Sequence, residues 1–152
     1  MKYMYKGSDK ICSFYISEAH LVAILIPYIY KNIEEGNKIE TFFEDDLEEV
    51  FKKINLNNAF DKREFNVIDW KKLKQEELSK KFESDTDIII VGGKMDFINH
   101  INRLVLNFHT NFTLVNCYNV NNLENNIKCV MEEYEKILYT SGIEEIGEVF
   151  TV

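Results

Sequence analysis

The sequence predicts an α/β domain with a mostly parallel sheet and helices on both faces. Three observations carry this reading. Apolar runs of strand length recur at residues 11–16, 87–91 and 112–118, with none of the alternation of a sheet wet on one face. Stretches with apolar residues at helical spacing fall between these runs, and strands that alternate with helices imply parallel crossovers. The first run leads through a tight turn at Ser17 into a helix whose residues 21–26 are apolar on every side, so that helix is central. At 152 residues, with no internal repeat and no linker, one domain with a single sizeable core is expected.

Taken in order, residues 1–6 offer a short edge strand ahead of a Gly7-Ser8-Asp9 turn. After strand 11–16, the Ser17 hydroxyl can accept an orphan amide of the next helix, and Glu18 suits the positive end of its dipole. Gly36 ends that helix, because glycine takes the left-handed conformation at no steric cost. Residues 38–43 give a second strand. Glu44, Asp45 and Asp46 open a helix through residue 54, and 55–62 read as a polar loop. A third strand at 65–68 runs into Asp69 and Trp70, and a charged helix follows at 71–82, anchored by Leu73, Leu78 and Phe82. Gly92-Gly93 breaks strand 87–91. Helix 96–108 sets Phe97, Ile101, Leu104, Val105 and Phe108 on one stripe. After strand 112–118, a long helix over 122–138 carries Leu123, Ile127, Val130, Met131, Tyr134 and Leu138 at helical spacing. Residues 143–152 supply a last strand.

Composition excludes several partners. With 18 basic and 26 acidic residues the net charge is −8, so no basic stripe is expected to displace counterions from nucleic acid or to hold an anionic membrane. The longest apolar run, residues 21–30, is about half the ~20 residues of a spanning helix. The opening MKYMYKGSDK lacks the apolar core of a signal peptide, and a cytoplasmic location is expected. Cys12, Cys117 and Cys129 are odd in number and form no CxxC pair, and they read as reduced, buried thiols.

A P-loop wraps phosphates with glycine amides and adds a lysine and a Ser/Thr for charge and magnesium. The turn Tyr15-Ile16-Ser17-Glu18-Ala19-His20 has no glycine and no lysine, and it holds an acid where phosphate would sit. The buried strand that should end in a magnesium-holding acid ends in Gly92-Gly93. ATP hydrolysis is therefore not expected, and neither a catalytic residue nor a cofactor can be assigned. Gly92-Gly93-Lys94 can cradle an anion at a helix start, although a turn that needs glycine explains the pair more simply. His20, His100 and His109 show no ligand spacing, and no metal site is expected. What remains is a rim. Tyr15, Ser17, Glu18, Asp69, Trp70, Gly92, Gly93 and Met95 lie at or just past strand ends, which a parallel sheet gathers at one edge. Such a mixed lining suits a small organic ligand, and core packing is the plainer use of Trp70.

Asp9-Lys10-Ile11-Cys12, Phe14-Tyr15, Pro27-Tyr28 and Glu35-Gly36-Asn37-Lys38 resemble the opening of the MEDS domain, the sensory domain of methanogen and methylotroph regulators. Ile90-Val91-Gly92-Gly93-Lys94-Met95 with Phe97 resembles that family's second block, and Val115-Asn116-Cys117-Tyr118-Asn119 its third. The resemblance covers nearly the whole chain. It implies a RecA-like fold without a functional P-loop, related to KaiC-type ATPases and turned to sensing small molecules, with hydrocarbon derivatives as the suggested class. The family commonly has His before the Ile-Cys pair, where this chain has Lys10, and a protonated lysine cannot ligate a metal. Members are often fused to DNA-binding or kinase modules, so the implied output here passes through a protein partner. The expected role is a non-catalytic sensory domain in signal transduction or transcriptional regulation. The alternatives are a protein-interaction module with a vestigial pocket and a nucleotide binder without hydrolysis.

Overall fold

The computed structural model describes residues 9–58, 61, 63–72, 86–106, 111–123 and 126–146. Among them are seven strands: β1 (Lys10–Tyr15), β2 (Ile39–Phe43), β3 (Phe65–Val67), β4 (Ile88–Gly93), β5 (Thr113–Asn119), β6 (Lys136–Tyr139) and β7 (Gly142–Glu145). They form one sheet in the order β3-β2-β4-β5-β1-β6-β7. All neighbours are parallel except β6 and β7, which make an antiparallel hairpin. The helices are α1 (Glu18–Glu34), α2 (Asp45–Asn58), α3 (Met95–Val105) and α4 (Ile127–Met131), with a 3-10 turn at Val120–Asn122. The fold is of the Rossmann/RecA-like α/β class.

The absence of alternation in the apolar runs has a direct cause. Successive residues of each central strand enter different cores: Ile11 and Cys12, Phe42 and Phe43, Ile89 and Ile90, Leu114 and Val115 all divide this way. Helices α1 and α2 cover one face, through Leu21, Leu25, Ile29, Leu47 and Phe51. Helices α3 and α4 cover the other, through Phe97, Ile101, Val105, Val130 and Met131. Handedness fixes this split. From β1 through β3 the chain travels one way across the sheet, and from β4 to β6 it travels back. Right-handed crossovers put connections of opposite travel on opposite faces.

The first helix ends as its residues dictate. Gly36 has φ of +86°, and the Asn37 amide donates back to the Asn32 carbonyl at 2.9 Å. Strands β1 and β4 are interior, as their apolar runs require.

Several boundaries differ from expectation. Strand β4 continues through Gly92-Gly93 rather than breaking there. A Cβ on Gly92 would lie 3.0 Å from the Phe43 ring, and one on Gly93 would lie 2.7 Å from Glu44 Oε1, so the glycines admit close neighbours within the strand. Helix α2 runs on to Asn58, through part of the segment read as a polar loop.

The largest correction is the helix expected over 122–138. Leu123, Val130, Met131 and Tyr134 are buried, but among the described residues of this span only Ile127–Met131 is α-helical, and Lys136–Tyr139 is a strand. Strand β1 would otherwise leave one backbone edge unpaired inside the molecule. Strand β6 fills that edge, and Ser13 Oγ donates to the Leu138 carbonyl at 2.8 Å. Cys129, read as buried, is exposed.

The strand expected at 1–6 lies outside the described residues, as does nearly all of the helix expected at 71–82. No helix among the described residues is long and apolar enough to cross a membrane.

Candidate ligand-binding cleft

Strand β2 hands the chain to α2 on one face, and its neighbour β4 hands it to α3 on the other. Connections that part in this way leave a crevice beyond the carboxyl ends of the strands. Here a cleft of about 370 Å³ opens at that edge, lined by Tyr15, Ser17, Glu18, Glu44, Asp45, Asp46, Leu47, Gly93, Lys94 and Asn119. That volume lies within the range of small-ligand sites.

The β1–α1 turn is closed by its own side chains. Ser17 has extended backbone angles and its Oγ accepts from the His20 amide at 3.1 Å, as an N-cap should. His20 Nδ1 accepts from the Ile16 amide at 3.0 Å, and the Leu21 amide donates to the Ser17 carbonyl at 3.0 Å. In a P-loop such turn amides face phosphate. Here Ile16 and His20 give theirs to side chains of the same turn.

The second turn is closed from a neighbouring strand. Glu44 Oε1 accepts from the Lys94 amide at 2.8 Å, while the Glu44 amide donates to the Gly92 carbonyl at 3.0 Å. Lys94 is the cap residue of α3 and has no side-chain cap of its own. The Glu44 carboxylate thus takes the place of an anion at the positive end of α3, which favours it. The anion cradle considered for Gly92-Gly93-Lys94 is filled by the protein itself.

The electrostatics follow. Among the described residues, Glu18, Glu44, Asp45 and Asp46 set four carboxylates around the cleft against the single ammonium of Lys94. Asp45 is paired with Lys71, whose own pKa that hydrogen bond raises. Tyr15 lies among the acids, 3% exposed. Burial, then the charges of Cys117, Glu44 and Glu18, push its phenol well above the ordinary range. A polyphosphate would meet these carboxylates in the cleft.

Of the rim residues read from the sequence, the fold brings Tyr15, Ser17, Glu18 and Gly93 to this cleft. Gly92 lies beneath it, against Phe43 and Leu21. Asp69, Trp70 and Met95 do not line it. The Trp70 indole packs edge-on against Phe97 at 4.9 Å, on the α3 face, and its Nε1 donates to the Phe43 carbonyl at 3.0 Å. Met95 packs against that same core, and Asp69 pairs with Lys72. A shared site for all eight positions is therefore not formed: side chains past a strand end go to either face, and Trp70 goes to the other.

Glu44, Asp45, Asp46, Leu47, Lys94 and Asn119 were not among the rim positions. The signal was present, since the three acids directly follow the strand read at 38–43. Their reading as a helix start, which also holds, concealed it. No protein-family model, no curated protein and no solved structure matches the chain.

Proposed function

We propose that this chain is a non-catalytic sensory domain of the MEDS type, which binds a small organic molecule in the carboxyl-edge cleft and signals through a protein partner in the cytoplasm. One observation carries the reading: the cleft occupies the ligand position of the fold, yet its two phosphate-binding turns are closed by Ser17, His20 and Glu44. The scaffold keeps a site and lacks the means to hold a nucleotide in it. A non-catalytic role draws support from Ser17 and His20, a hydroxyl–imidazole neighbourhood at this edge, because both side chains accept backbone amides of their own turn. Among the described residues no three His, Cys, Asp or Glu side chains group to hold a metal.

The test is a thermal-shift screen with small organic molecules alongside magnesium-ATP. A ligand of the folded state at a hundredfold excess over Kd adds about 2.7 kcal/mol, a readily seen shift. Hits are expected that Asp46→Trp abolishes, since this substitution fills the cleft from an exposed rim position. Magnesium-ATP should give neither shift nor turnover above a blank. No hits, together with a protein partner whose binding survives Asp46→Trp, would favour the interaction-module alternative. Magnesium-dependent ATP turnover lost on changing the Ser17 turn would overturn the non-catalytic reading.

A further inference from the structure

We infer that the ligand of this cleft is a small organic amine, held as its ammonium ion among Glu18, Glu44 and Asp46 with the Tyr15 hydroxyl as an acceptor. The inference rests on the small-molecule reading above and names the chemical class.

Two independent observations carry it. The first is charge. Among the described residues, four carboxylates line the cleft and only Lys94 opposes them there. Asp45 is answered by Lys71 and Glu44 by the Lys94 amide, whereas Glu18 and Asp46 form no ion pair among the described residues. A concave wall lined by one sign of charge focuses its field into the crevice and concentrates the opposite ion.

The second observation is Tyr15. It is 3% exposed and lines the cleft, yet its hydroxyl has no hydrogen-bond partner among the described residues. The ring is buried while the hydroxyl keeps access to the cleft, so the partner that tyrosine hydroxyls ordinarily find comes from the cleft. An ammonium provides donors for both groups at once. A bare metal ion would need its ligands drawn together, and the acids are not so grouped. An organic cation spans the spread, with Leu47 and the Tyr15 ring against its carbon body.

The experiment is calorimetric titration of the whole chain at pH 7 and low salt with three four-carbon probes: 1,4-diaminobutane, 1,4-butanediol and succinate. Diaminobutane should bind at least about tenfold more tightly than the diol, the worth of one charge-assisted hydrogen bond, and succinate should not bind. Tyr15→Phe should weaken diaminobutane severalfold. Glu18→Gln combined with Asp46→Asn should weaken it about tenfold or more while lowering the melting temperature by only a few degrees, because both positions are exposed and each loses only its helix-start charge.

Equal binding of the diol, unaffected by the double substitution, overturns the amine class and leaves the cleft as a small-molecule site. Absence of binding by all three probes also overturns the amine class, and the wider screen then decides the small-molecule reading separately. Tighter binding of acetyl-Gly-Lys-Gly amide than of diaminobutane places the ammonium on a protein partner and overturns the proposal.

Discussion

Tyr15 and the pair Tyr118 and Tyr134 lie on opposite faces of one sheet, at similar burial and in different circumstances. On the α3/α4 face, Asn116 Nδ2 donates to the Tyr134 hydroxyl at 2.8 Å, and the Tyr134 and Tyr118 hydroxyls are hydrogen-bonded at 2.6 Å. The Lys10 ammonium lies 5.5 Å over the Tyr134 ring, and in this network only Asn116 Oδ1 is left without a partner. On the α1/α2 face Tyr15 has no such company and meets a cleft instead. Burial of a tyrosine alone is therefore no guide to its use. Where the hydrogen bonds close on one another they belong to the fold, and where they open on a cleft the partner must come from outside.

The sharpest test of this contrast removes one hydroxyl from each face. Tyr134→Phe leaves both Asn116 Nδ2 and the Tyr118 hydroxyl short of a partner and should cost about 2–4 kcal/mol in urea unfolding. Tyr15→Phe should change stability by less than about 0.5 kcal/mol, since no protein bond is lost. Equal costs would break the comparison.

Next in size is Gly93→Ala, at about 1–3 kcal/mol, because the new Cβ would stand 2.7 Å from Glu44 Oε1 and 2.9 Å from the Phe97 ring. Adding Glu44→Ala should recover part of the loss and not all of it, as the contacts with the Phe97 ring and with the Cβ of residue 44, both at 2.9 Å, persist. Full recovery would mean that the glycine serves only the Glu44 closure.

Trp70→Phe should cost about 1 kcal/mol through the lost bond to the Phe43 carbonyl and leave diaminobutane affinity unchanged. A change in affinity would show that the two faces communicate.

The alkaline limb of the stability profile is a separate effect. Burial pushes the Cys12 thiol from 9.0 up to about 12. Below pH 9 both native and unfolded chains hold that proton. Between pH 9 and about 12 the unfolded chain releases it first, so stability falls as pH rises. Cys12→Ala should flatten that slope, as measured by urea titrations from pH 8 to 11. The smallest effect is a thiol count. Exposed Cys129 should react promptly with an aromatic disulfide in the native state, and buried Cys12 and Cys117 only on unfolding.

The elements that the sequence determined by itself are those whose signals are local. The Ser17 cap, the glycine stop at Gly36, the apolar strands at 11–16 and 87–91, and the stripe of Phe97, Ile101 and Val105 each follow from neighbouring residues, and all appear within a residue or two of their expected places. The mostly parallel sheet follows too, because strands buried on both faces need helices on both.

Only the tertiary structure decided the rest. Lys136–Tyr139 carries helical spacing and becomes a strand, because the open edge of β1, over 120 residues earlier, offers backbone partners that no local helix can match. Trp70 lies past the end of one strand and Tyr15 at the end of another, but which face a side chain takes depends on register, and Phe97 with the Phe43 carbonyl draws Trp70 away from the cleft. Glu44 reads as the first acid of a helix until β2 and β4 lie side by side and bring it to the Lys94 amide. Local periodicity sets what a segment can be. Long-range backbone pairing, absent from any window of sequence, chooses among the possibilities.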